Sequence, residues 1–136
     1  MTHNSLTTPQ GLTISTLPNG ITQFELSSHH RTVIDNYIAG LEAEYADALN
    51  NGKGVKQLRI FSDEFKGSSP YLKGMMQKLA HRYPNVFGRV AVLSGERLFI
   101  YQELGTIRQL SAVQAGLKYE AYDPKDKEKA ITWLTS

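Results

Sequence analysis

Ser68 and Ser69 stand directly before Pro70, and serine followed by proline is the pattern of a helix cap and a first helical residue. The bare N–H groups of a helix start attract anions, so Ser68 and Ser69 are candidate phosphorylation or partner-contact residues. Plain capping by Ser69 is the competing reading. A second group follows from strand ends. Ser62 and Asp63 follow one apolar run, and Ser94, Gly95 and Arg97 follow another. Ligands of open α/β sheets sit just beyond the carboxyl ends of strands, so Asp63, Ser94 and Arg97 are expected to share a ligand or partner surface, with Arg97 offered to an anion. Ordinary loop polarity would also place such residues there. Phe99 and Ile100 join this surface, because with Leu98, Tyr101 and Leu104 they give the segment 98–110 more apolar area than one helical stripe needs. Such a face marks a dimer contact, a lid over an apolar-ligand pocket hinged at Gly105, or a helix covered on both sides.

Other chemistries find no constellation. The chain has no cysteine, which removes disulfides, thiolate metal sites and cysteine nucleophiles and fits a reducing compartment such as the cytoplasm. Its histidines are His3, His29, His30 and His81, none with a second histidine or a carboxylate at helical zinc spacing, so no metal and no cofactor is expected. A Ser69, His81 and Asp63 triad fails on distance, since a helix would hold its serine and histidine ~18 Å apart. Asn51-Gly52-Lys53-Gly54 lies between a helix and a strand, the wrong order for a phosphate-binding loop. Lys and Arg number 15 against 13 Asp and Glu, a surplus too small to argue for nucleic acid or an anionic membrane. No basic stripe interleaves Tyr119, Tyr122 and Trp133, which read as packing residues. The longest apolar run, Val90 to Leu93, is far short of the ~20 residues of a transmembrane segment.

The elements that must hold these residues are legible from periodicity. With 136 residues, one hydrophobic core is expected, at residues 11–136, behind a loose polar tail at residues 1–10 that lacks the pattern of a secretory signal. Leu12 and Ile14, then Ile21, Phe24 and Leu26, flank Leu17-Pro18-Asn19-Gly20, a hairpin signature. Val33, Ile34, Tyr37, Ile38, Leu41, Tyr45 and Leu49 form a helical stripe, with Thr32 and Asp35 as a capping box and Gly52 as a stop. Val55 to Phe61 is a predicted strand, and Pro70 to Tyr83 a helix with Leu72, Met75, Met76 and Leu79 on its stripe. Val86 to Leu93 is a strand buried on both faces. Arg97 to about Leu110 is a third helix, with Leu98, Tyr101, Leu104 and Ile107 on one side. Leu117 to Tyr122 is the last strand, and Asp123-Pro124 opens a short helix carrying Ala130, Ile131 and Leu134. The sum is an α/β fold: a small, mostly parallel five-stranded sheet flanked by four helices, the N-terminal hairpin antiparallel, with right-handed crossovers placing helices on both faces.

Two strings carry a resemblance. GRVAVLSGERLFIYQELG, residues 88–105, and KYEAYDPKDKEKAITWL, residues 118–134, resemble the buried strand, glycine turn, amphipathic helix and final strand and helix of the STAS family of anti-sigma-factor antagonists. The likeness is greatest to its SpoIIAA-like branch of uncharacterised proteins. In phospho-regulated members an Asp-Ser-Ser-Gly motif is phosphorylated by a partner kinase; here the corresponding string is Gly67-Ser68-Ser69-Pro70. The resemblance implies a non-enzymatic regulatory or protein-interaction domain with an unidentified protein partner, cytoplasmic, and a homodimer in many relatives. A remoter likeness to the CRAL-TRIO lipid-transfer fold implies the alternative, a small lipid or apolar-ligand carrier with its pocket under the helix 98–110.

Overall fold

The computed structural model describes residues 6–7, 11–65 and 69–136, and for Leu6, Thr7 and Leu98 the backbone alone. Ser68 and most of the expected tail at residues 1–10 therefore lie outside the described residues. The strands are β1 (Leu6–Thr7), β2 (Leu12–Thr16), β3 (Thr22–Leu26), β4 (Val55–Phe61), β5 (Gly88–Leu93) and β6 (Leu117–Tyr122). The helices are α1 (Arg31–Asn51), α2 (Pro70–Arg82), α3 (Arg97–Val113) and α4 (Lys127–Leu134).

The expected α/β fold is present. β2 and β3 pair antiparallel around a 3-10 turn at Pro18–Gly20, and β3, β4, β5 and β6 are mutually parallel. To these five strands the two-residue β1 adds an antiparallel edge outside β2. Strand order in the sheet equals chain order. Crossovers of one hand that always step the same way deliver their helices to the same face, and α1, α2 and α3 indeed share one core. The expectation that crossovers alone would cover both faces is corrected: among the described helices only α4, which follows the last strand, packs on the other side.

The larger core holds Phe24, Tyr37, Tyr45, Phe61, Phe65 and Phe99, all buried. Phe61 sits 5.3 Å from Phe65 and 4.8 Å from Phe99 between ring centroids, and burial of each such side chain stabilises by ~1.5–3 kcal/mol. The smaller core joins Ile21, Leu58, Ala91 and Leu93 of the sheet to Ala130 and Leu134 of α4. Both faces of β5 are thus covered, which is why Val90 to Leu93 reads as continuous apolar sequence.

Helix ends follow local chemistry, with one correction. Gly52 closes α1 at φ 64°, donating its N–H to the Leu49 carbonyl. At the other end His30, not Thr32, is the cap residue, and no side chain among the described residues caps the helix. Asp35 instead accepts a hydrogen bond from the Tyr71 hydroxyl. Gly88 opens β5 at φ 130°, and any Cβ there would fall 2.1 Å from the Val55 carbonyl oxygen, so only glycine lets β4 and β5 meet at this point.

Candidate functional site

The carboxyl ends of β5 and β6 lie side by side, because the Ser94 N–H donates to the Tyr122 carbonyl at 3.3 Å. Ser94 is buried, and its Oγ accepts from the Glu96 N–H at 3.1 Å, forming the turn that launches α3. That turn sets Arg97 at the head of α3, exposed. Asp123, just past β6, accepts the Lys125 N–H at 3.1 Å and so starts the 3-10 turn Pro124–Asp126. Between these ends opens a groove of about 400 Å³, with Ser94, Arg97 and Asp123 at its polar end. Ile100, Tyr101, Leu104 and Tyr122 form its apolar wall. Asp63 comes alongside: a Cβ on Gly95 would stand 3.5 Å from its Oδ1.

Of the residues singled out from sequence, the structure brings Ser94, Arg97 and Ile100 into one groove with Asp63 at its margin. Phe99 is not among them. It is fully buried, 5.6 Å from Phe65 and in contact with Phe61, so its place on an outer surface is corrected to the core. The helical stripe is rotated accordingly: Phe99, Thr106 and Leu110 face inward, while Tyr101 is 78% exposed and Leu104 41%. Ser69 caps α2, its Oγ accepting the Leu72 N–H at 3.3 Å, which is the plain reading of the Ser-Pro pair. His81 donates from Nδ1 to the Gln77 carbonyl at 2.8 Å, and His29 packs edge-on against Phe65 at 5.5 Å.

A second polar centre escaped the sequence reading. Val55, Gln57, Arg59 and Phe61 alternate along one face of β4, so Gln57 and Arg59 point into the larger core and are 0% and 3% exposed. That period of two was the signal available. The Arg59 Nε donates to Gln57 Oε1 at 3.0 Å, and its Nη2 donates to the Tyr45 hydroxyl at 2.9 Å. The Gln57 amide completes the chain by donating from Nε2 to Glu44 Oε1 at 2.8 Å. The guanidinium carbon also lies 5.6 Å from the Tyr119 ring centroid. Burial works against the arginine's charge, but the oxygens of Tyr37, Tyr45 and Tyr119 together more than offset it and hold its pKa above the ordinary value. Burial pushes the Tyr37 and Tyr119 hydroxyls well above their usual range, with Arg59 opposing. Among the described residues the buried Tyr119 hydroxyl has no hydrogen-bond partner. The space left beside Arg59, Tyr37 and Glu103 is about 10 Å³, room for no more than a water.

Comparison with protein families, curated proteins and solved structures finds no match. Geometry is therefore the ground for function. Arg59 is sealed beneath α1 and α3, so its chemistry is turned on the fold. The groove at Arg97 is open, and there the polar atoms that orient a ligand meet exposed apolar surface. No group of three or more metal-binding side chains occurs among the described residues, and none of their helices is long and apolar enough to cross a membrane.

Proposed function

We propose that this protein is a non-enzymatic, cytoplasmic regulatory domain of STAS type that acts by protein contact, docking a partner on the groove between α3 and the end of β6. The observation that carries the reading is the exposure of Tyr101 at 78% and Leu104 at 41% on the wall of a groove whose other end holds Arg97 and Asp123. A tyrosine anchor beside an arginine, ringed by polar groups, has the composition of a binding hot spot. The groove's hydroxyl and carboxylate support binding rather than catalysis: Ser94 Oγ and Asp123 Oδ1 each hold a backbone N–H of their own turn.

The test is quantitative affinity purification from cells with the wild-type chain and with Tyr101→Ala/Leu104→Ser. A partner retained by the first and lost by the second is expected. Identical partner sets from both would refute the reading.

A second reading, an apolar-ligand carrier, is favoured by the groove's volume of about 400 Å³, which lies within the ~300–1,000 Å³ of small-ligand sites. The ligand would lie beside α3, since the space beneath it near Arg59 is only about 10 Å³. Native mass spectrometry of cell-derived protein would then show a bound adduct.

A further inference from the structure

At one end the sheet stops on β1, two residues long; at the other it stops on β6, six residues with neither proline nor glycine. A strand of that length is a ready template for another. Among the described residues no strand pairs with its outer side.

The backbone groups offered there are set by parity. The carbonyls of Gly116 and Tyr122 accept from Gly88 and Ser94, at 3.1 and 3.3 Å, so the even-numbered residues turn their polar groups toward β5. Tyr119 and Ala121 turn theirs outward, as does the Leu117 carbonyl, while the Leu117 N–H is already given to the Gln114 carbonyl at 3.0 Å. Side chains alternate across the strand: Tyr119 packs with the larger core, Tyr122 with the smaller. Lys118 and Glu120, both exposed, therefore stand on the α4 face. A depression of about 480 Å³ runs along this edge, walled by Ile107 and Ser111 of α3 and by Trp133 of α4.

We propose that this edge pairs antiparallel with the same edge of a second copy, about a two-fold axis passing beside Tyr119. An axis perpendicular to a continuous sheet keeps each face with itself, so it must pass beside a residue, not between two. An axis at Lys118 sets lysine against lysine, and one at Glu120 sets glutamate against glutamate. Only the axis at Tyr119 sets Lys118 of each copy opposite Glu120 of the other. The same register lets Tyr119 exchange N–H and carbonyl with its mate and gives the Ala121 N–H the Leu117 carbonyl. Lys118 and Glu120 then form the non-hydrogen-bonded pairs, with Cα atoms ~4.5 Å apart. The groove at Ser94 and Arg97 takes no part in this register. The pairing therefore goes beyond the proposed function and stands or falls separately from it.

The test is the solution mass of the full chain by light scattering and sedimentation, with circular dichroism confirming that each variant folds. The wild type is expected at twice 15.2 kDa. Lys118→Glu and Glu120→Lys are each expected to weaken the dimer at least ~10-fold, and the double exchange Lys118→Glu/Glu120→Lys to restore it. Because the chain has no cysteine of its own, Lys118→Cys/Glu120→Cys gives a second readout. Oxidation should yield a covalent dimer from the double variant and none from either single one. A wild type that stays monomeric up to ~1 mM overturns the pairing. Single reversals that dimerise as the wild type does, or a double exchange that fails to restore the dimer, overturn the register.

Discussion

Arg59 and Arg97 each keep company with tyrosines and an acidic side chain, yet their surroundings differ in access. Arg59 is 3% exposed, with Tyr37, Tyr45 and Tyr119 about it and Glu103 beside a space of about 10 Å³. Arg97 is exposed at the head of α3, with Tyr101, Tyr122 and Asp123 around a groove of about 400 Å³. A desolvated guanidinium is tolerable only when its donors are satisfied, so Arg59 is committed to Gln57 and Tyr45 and positions α1 against β4. Arg97 keeps its hydration and its donors available. The same side-chain types thus serve the fold in one place and stand open to solvent in the other, where we propose recognition, and burial separates the two settings.

The contrast is sharpest in stability. Arg59→Ala leaves Gln57 Oε1 and the Tyr45 hydroxyl in a dry core without their donor and opens a void, so urea unfolding should show a loss of ~3–5 kcal/mol. A loss below ~1 kcal/mol would erase the distinction between the two centres. Next in size is the alkaline limb. Tyr37 and Tyr119 are held protonated by burial in the folded chain, while the unfolded chain ionises them at the ordinary 10.0. Their contribution is therefore intact below pH 10 and falls above it, by ~1.4 kcal/mol per pH unit for each tyrosine. Denaturation at stepped alkaline pH, with absorbance following tyrosinate, checks this; folded protein whose tyrosines all ionise at 10 would break it. The smallest effect belongs to Arg97→Ala. It should leave stability within ~0.5 kcal/mol while reducing recovery of the partner that Tyr101 retains, and an effect on stability as large as that of Arg59→Ala would make the two arginines equivalent.

The elements were legible wherever one physical rule dominated. Val33 to Tyr45 declared α1 by its three-and-four spacing, Ser69-Pro70 and Asp123-Pro124 marked their helical starts, and Val90 to Leu93 declared a strand covered on both sides. Reading failed where two rules competed. In β4 the charge of Arg59 argues for solvent and its alternation with Val55 and Phe61 argues for the core; alternation wins because Gln57 and Tyr45 receive the donors. In α3 too many apolar residues allow two stripes, and propensity cannot choose between Phe99 and Tyr101. The aromatic cluster of Phe61 and Phe65 chooses Phe99. The groove was half legible: strand ends point to Ser94 and Arg97 by a general rule and the apolar excess of the next helix points to Ile100 and Tyr101, but Tyr122 and Asp123 join them only through the pairing of β5 with β6. The order of the parallel strands was not legible, since alternating strands and helices fit several orders, and the observed one leaves α4 alone on its face among the described helices.

Sequential strand order also has a temporal meaning. From β3 onward each strand finds its partner in the strand made just before it, so a growing chain can add strands one by one and close α1, α2 and α3 over one side as it proceeds. The other side cannot be closed that way. Ile21, Leu58, Ala91 and Leu93 wait for Ala130 and Leu134, which follow every strand they cover. A ribosome-bound chain ending short of α4 would therefore carry a finished sheet with one oily side bare, the form most in need of a chaperone, and α4 acts as the latch that ends that exposure.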